Sequence, residues 1–154
     1  MSATIERIIL ATDFSDTSKD ASYLALMLAQ KHNAELKALH VFDTSVWTVP
    51  AQYYLEPAGP VFTGVTEEFE KAQQRGKDTI KKLAKSFPIN VEAIFTVGNP
   101  GHEIVRVAEE LNIDLIVLGT HGYSGWKRFT IGSVAEFVTK HAPCAVLTIR
   151  SKAR

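Results

Sequence analysis

Asp114-Leu115-Ile116-Val117-Leu118-Gly119-Thr120-His121-Gly122 and, after nine further residues, Gly132-Ser133-Val134 are the stretches from which this chain is best understood. An apolar burst, Leu115 to Leu118, stops abruptly at Gly119. A glycine-studded loop follows, and a second apolar-periodic run begins after Gly132-Ser133. That pattern predicts a buried strand, a loop and the start of a helix. Such a junction suits a phosphate: the strand end frees backbone amides, glycines let the main chain come close, and a helix N-terminus adds unpaired N–H groups at a positive dipole end. The spacing matches neither common phosphate fingerprint. The chain holds no G-x-x-x-x-G-K-[ST] run, and no G-x-G-x-x-G follows a strand.

Working outward, the flanks supply the rest of a layered fold. Ile8-Ile9-Leu10-Ala11 is a short continuous apolar run, as expected of a strand buried on both faces. After Thr12-Asp13, Ser15 or Thr17 offers an N-cap, and Ala21, Leu24, Ala25, Leu28 and Ala29 trace a helix ending near Asn33. Glu35 to Phe42 reads as a second strand. Residues 43–64 break the rhythm, with Pro50, Pro57, Pro60, Gly59 and Gly64 predicting a long irregular segment rich in aromatics. It is either a surface loop packed over a helix or a flap beside a ligand or partner. Phe69, Ala72, Gly76, Ile80, Leu83, Ala84 and Phe87 mark one face of a long helix. Val91, Ala93, Phe95 and Val97 then alternate as a half-exposed edge strand. Asn99-Pro100 is an N-cap followed by proline at the first helical position, with Ile104, Val107, Ala108 and Leu111 as the buried stripe. A helix carrying Val134, Phe137, Val138 and His141 and a last strand, Ala145 to Ile149, complete the chain.

Strands alternating with helices, joined by right-handed crossovers, give an α/β fold: a single-domain, open, doubly wound parallel sheet of five strands with helices on both faces. Ligands bind such sheets beyond the C-terminal strand ends, where the strand order reverses. With the order 3-2-1-4-5, Asp13 and Gly119 share that crevice.

Composition narrows the partners. The 154 residues suit one domain, and 17 basic residues balance 17 acidic ones. Zero formal charge argues against general binding to nucleic acid or anionic membranes. A lone cysteine, Cys144, leaves no internal disulfide and suits a reducing compartment, reading either as a buried structural thiol or as a redox thiol. No signal pattern opens the chain and no apolar run reaches the roughly 18 residues of a membrane span, so a soluble, cytoplasmic protein is expected.

The chain resembles the universal stress protein family, specifically its ATP-binding branch. Ile9-Leu10-Ala11-Thr12-Asp13-Phe14-Ser15 is similar to the family's first strand and acidic turn, and Leu39-His40-Val41 to its second strand. Val97-Gly98-Asn99-Pro100, Asp114 to Gly122, Gly132 to Glu136 and His141-Ala142-Pro143-Cys144 match as well. The match runs from about residue 5 to 150 and is weakest over 43–64. The resemblance implies an adenine nucleotide alpha hydrolase-like sheet of order 3-2-1-4-5, ATP at the reversal, and a homodimer formed through the strand Ala145 to Ile149. It implies that Ala11, Thr12 and Asp13 lie near the adenosine and that Val41 meets the adenine edge. Gly119 would lie against the ribose, and Gly122, Gly132 and Ser133 would hold the phosphates, with Val134 lending a backbone amide. Ala145 departs from the proline often found there.

The individual residues keep two readings each. Asp13 is either a helix cap or a ligand to the nucleotide and its metal, Mg²⁺ or Mn²⁺ held with the phosphates. His121 is either a loop side chain or a nucleotide contact, and Lys127 and Arg128 are either solvated or near a triphosphate. His32, His40, His102 and His141 share no metal-ligand spacing and default to structural or surface roles. No G-x-S-x-G elbow, kinase signature or evident triad is present. A nucleotide-dependent regulator or sensor in stress response is therefore the leading expectation. A slow ATPase or nucleotidyl-transfer enzyme, a ligand-free interaction module and a flavin binder are the alternatives.

Overall fold

The computed structural model describes residues 4–47, 60–120 and 131–150. In chain order they form β1 (Arg7–Ala11), α1 (Asp16–His32), β2 (Glu35–Asp43), a 3-10 turn (Thr44–Val46), α2 (Pro60–Ser86), β3 (Val91–Gly98), α3 (Pro100–Glu110), β4 (Leu115–Gly119), α4 (Ser133–His141) and β5 (Ala145–Ile149). The five strands make one sheet of order β3-β2-β1-β4-β5, and every neighbouring pair is parallel.

Alternation along β1 shows why its sequence is apolar throughout. Ile8 and Leu10 enter one core with Leu36, Leu115 and Val117, packed against Ala21, Ala25 and Ala29 of α1. Ile9 and Ala11 enter the other with Leu39, Val41, Ile116 and Leu118, packed against Ile104, Val107 and Ala108 of α3 and Ala135 and Val138 of α4. A central strand buried on both faces has no side to spare for polar residues. The three alanines at i, i+4, i+8 let α1 lie close to the sheet. The core ties are anchored at the other end of the sheet, where Asp114 Oδ2 accepts the backbone N–H groups of Glu6 at 2.9 Å and Arg7 at 2.8 Å.

Helix ends follow local chemistry. Ser15 caps α1 by accepting the Ser18 N–H, and Asn99 caps α3 by accepting the His102 N–H, with Pro100 in the first turn. Asn33 closes α1 at φ 53°, a left-handed conformation that asparagine tolerates.

Two sequence expectations need correction. The irregular segment does not extend through 43–64: Asp43 caps a short 3-10 turn, and α2 begins at Pro60. Proline is tolerated in a first helical turn because its missing N–H has no intrahelical partner there, so Pro60 starts the helix instead of excluding it. Val97, expected among the inward residues of β3, is 42% exposed, near the C-terminal end of a strand at the edge of the sheet. His141, expected in a structural or surface role, is exposed and stacks on Phe137 at 4.1 Å. Tyr53 and Tyr54 lie outside the described residues.

Candidate functional site

At the C-terminal ends of the central strands, where β1 separates two oppositely wound halves, the structure holds a cleft of about 560 Å³. That size falls within the roughly 300–1,000 Å³ typical of small-molecule sites. Its walls bring together Ala11, Thr12, Asp13, Val41, Gly119, Gly132, Ser133 and Val134, residues drawn from four separate parts of the sequence. His121 and Gly122 lie outside the described residues.

The β1–α1 turn is held by a compact polar network. Asp13 Oδ1 accepts the Ser18 hydroxyl at 2.6 Å and the Ser15 N–H at 3.0 Å. The Ser15 and Ser18 hydroxyls sit 3.2 Å apart, and Thr12 Oγ1 accepts the Phe14 N–H at 3.0 Å. Asp13 is thus not the helix cap itself, since Ser15 fills that position. Asp13 braces the cap residue while its own side chain stays exposed at the cleft. Both described bonds to the carboxylate fall on Oδ1. Phe14 adopts φ 65°, a costly conformation for a bulky residue, and its ring rests on His40 at 4.3 Å.

His40 closes the floor behind this turn. Its Nδ1 lies 2.8 Å from the Thr12 carbonyl, so Nδ1 carries the proton and donates. Burial lowers its pKa below the ordinary histidine value, against the opposing pull of the Thr12 hydrogen bond and the Asp13 charge. The neutral imidazole is the form this packing favours. His40, for which the sequence predicts a structural or surface role, also lines the cleft.

The opposite wall is the start of α4. Thr120, only 2% exposed, donates its N–H to the Ile149 carbonyl at 2.8 Å and accepts the Gly132 N–H at 2.6 Å. Gly132 is the N-cap of α4, and among the described residues no side chain caps that end. Among the described residues, the first-turn amides of Ser133, Val134 and Ala135 therefore lack the cap side-chain acceptor that Ser15 and Asn99 provide for α1 and α3. Ser133 is the first residue of the helix and not its cap. Gly119 has a packing reason for its identity, since a Cβ there would lie 2.8 Å from Thr17 Cγ2.

Residue-type patterns missed several lining residues. Ser18, Phe42, Asp43, Trp47, Pro100 and Ile104 all face the cleft. Ser18 had a signal in its position five residues after Asp13. The others become neighbours only through the crossovers. Among the described residues no cluster of three or more His, Cys, Asp or Glu could hold a metal, and no helix is long and apolar enough to cross a membrane. Cys144 is half-buried against the α3–α4 core, and burial raises its thiol pKa.

The family model described as "Universal stress protein family" matches residues 4–150. The chain belongs to that family. Universal stress protein MJ0531 of Methanocaldococcus jannaschii is 34% identical over 146 residues, covering 94% of this chain and 82% of that protein. The structure of the universal stress protein UspA from Lactobacillus plantarum is 32% identical with a TM-score of 0.72, covering 97% of this chain and 100% of that one. A universal stress protein solved in complex with cAMP is 25% identical with a TM-score of 0.58, covering 95% of this chain and 97% of that one. The five-stranded parallel sheet of order 3-2-1-4-5 with helices on both faces is the architecture these structures share.

Proposed function

We propose that this universal stress protein binds ATP in the cleft between β1 and β4 and acts as a homodimeric, nucleotide-dependent regulator in the cytoplasmic stress response. The observation that carries the proposal is the bare N-terminus of α4, Gly132-Ser133-Val134, facing Asp13 and Val41 across one cleft at the strand-order reversal. A helix whose first-turn amides have no side-chain acceptor is a ready anion site, strengthened by its positive dipole end. The phosphates lie there, with Gly122 and His121 of the preceding loop as further contacts. Ala11, Thr12 and Val41 face the adenosine, and Gly119 lies beside the ribose. The cAMP complex of a relative supports an adenine nucleotide as the ligand class.

Mg²⁺ or Mn²⁺ accompanies the phosphates. Mg²⁺ binds through one or two carboxylates plus phosphate oxygens and water, and the exposed Asp13 carboxylate at the cleft would fit that requirement. The metal's contribution is charge neutralisation on the phosphates. β5 lies at one edge of the sheet, and an unpaired apolar edge is a surface proteins tend to cover, which supports dimerisation through Ala145 to Ile149.

Isothermal titration with ATP and Mg²⁺ tests the proposal. Saturable heat at one site per chain is expected, and a folded sample giving no heat at high-micromolar protein refutes it. Light scattering tests the dimer separately, and a monomeric mass at micromolar concentration removes it.

A further inference from the structure

The cleft continues past the strand ends to a wall built by the segment after β2. We infer that Trp47 grips the base of a bound nucleotide and makes the site prefer purines over pyrimidines. The inference rests on the nucleotide proposal above and assigns a residue to its base specificity.

Trp47 lines the cleft beside Val46, together with Pro100 and Ile104 from α3. It is half-buried and doubly anchored. Its ring meets Phe69 edge-on at 5.4 Å and 89°, and meets Phe42 at 5.9 Å. Phe42 and Phe69 are themselves edge-on at 5.3 Å, so the three rings brace one another. The backbone beneath is fixed as well. Asp43 Oδ1 accepts the Ser45 N–H at 2.9 Å and the Ser45 hydroxyl at 2.7 Å, and the Trp47 N–H donates to the Thr44 carbonyl at 3.1 Å. The indole is held in place before any ligand arrives.

The two halves of the site then do different chemistry. Backbone amides at α4 recognise negative charge and cannot tell one base from another. The walls near the strand ends are aliphatic at Val41, Ile104 and Leu118. A preplaced indole adds an aromatic plane, and base–aromatic stacking is independent of the hydrogen-bonding edge while growing with the area of the ring. A purine covers more of that plane than a pyrimidine. A sugar or a bare phosphate chain gains nothing from it.

The experiment compares ATP, CTP and inorganic tripolyphosphate by titration calorimetry on wild-type protein, Trp47→Leu and Trp47→Phe. Stacking worth a typical aromatic–base contact predicts that Trp47→Leu weakens ATP about tenfold, narrows the ATP-to-CTP ratio, and leaves tripolyphosphate within about twofold. Trp47→Phe should recover most of the loss. In a Trp126→Phe background, where Trp47 is the sole tryptophan, its fluorescence should change with ATP and not with tripolyphosphate. Wild-type affinity for ATP in Trp47→Leu overturns the inference alone. Equal weakening of ATP and tripolyphosphate also overturns it, because the ring would then be only a structural wall. An absent ATP-specific fluorescence change does the same, even should Trp47→Leu fail to fold. Wild-type protein that binds no ATP overturns the inference together with the proposal on which it rests.

Discussion

Replacing Gly119 with alanine separates a packing reason for this glycine from a ligand-binding one. A Cβ at position 119 would stand 2.8 Å from Thr17 Cγ2, 3.2 Å from Thr17 Cβ and 3.3 Å from the Thr17 carbonyl carbon. Thr17 is 9% exposed in the first turn of α1, and its short branched side chain has nowhere to retreat. Overpacking of this kind costs about 1–3 kcal/mol. Gly119 is not at positive φ, so alanine also gives back about 0.4–1 kcal/mol by restricting the unfolded chain. The net expectation is a loss of roughly 0.5–2 kcal/mol by equilibrium urea unfolding, with an unchanged m-value. Thr17→Ser removes Cγ2 and keeps the hydroxyl. The double variant should therefore show a favourable coupling of about 1 kcal/mol relative to the two single changes. Gly119→Ala as stable as the wild type, or additive with Thr17→Ser, would refute the steric argument. The rescued double variant then isolates function: normal stability with lost ATP binding would mean the ligand also needs the bare main chain.

Ser18→Ala removes the hydroxyl that holds Asp13 Oδ1 at 2.6 Å and should cost about 0.5–2 kcal/mol, read by thermal unfolding; no change in stability would mean the network is dispensable. The His40 pKa is lowered on folding, so between its folded value and the ordinary 6.5 the unfolded chain binds more protons. Stability should therefore be complete above pH 6.5 and decline as pH falls below it. His40→Gln should flatten that slope in urea unfolding, and an NMR titration placing the His40 pKa above 6.5 would contradict the burial argument. Gly132→Val should fold normally, because φ −62° and ψ 152° suit any residue, while its branched side chain crowds the α4 amides; calorimetry should show ATP binding lost.

The architecture was legible because its signals are local and redundant. Continuous apolar runs at Ile8–Ala11 and Leu115–Leu118 mean central parallel strands, and Asn99-Pro100 means a helix start, whatever surrounds them. The start of α2 was not legible, because Pro60 marks a loop and a first helical turn equally well. In the cleft, Asp13, Gly119 and Gly132 line one hollow, while Gly122 lies outside the described residues. The partners of those residues were less visible. Ser18 matters through a hydroxyl aimed at Asp13, and Trp47 matters through rings on β2 and α2. The first was signalled only by the five-residue spacing from Asp13, and the second by nothing near Trp47 in sequence. His40, expected in a structural or surface role, is held beneath the β1–α1 turn by its bond to the Thr12 carbonyl and also lines the cleft, a position its strand neighbours Leu39 and Val41, which serve the opposite core, do not reveal.

The position of the α4 N-terminus follows from a short chain of bonds and not from the glycine loop as a whole. Thr120 follows β4 directly, its N–H is fixed by Ile149 of β5, and its carbonyl takes the Gly132 N–H. The end of β4 and the start of α4 are thereby joined across the base of the loop, so the helix dipole is aimed by the sheet. Asp13 is aimed by the same sheet through β1, which pairs with β4 from Ile8↔Leu115 to Ala11↔Leu118. Two groups of opposite electrostatic character, a carboxylate and a bare helix start, are thus set on adjacent strands of a rigid core. An anion held at α4 would be repelled by Asp13 at close range unless a cation or a neutral group lay between them. A nucleotide satisfies that condition, with its phosphates toward α4, its neutral nucleoside toward Asp13 and a divalent cation in between. A simple dianion such as sulfate does not, and it should bind far more weakly than ATP with Mg²⁺ in a direct calorimetric comparison. Equal affinities would leave the helix terminus as a generic anion site and remove Asp13 from the mechanism.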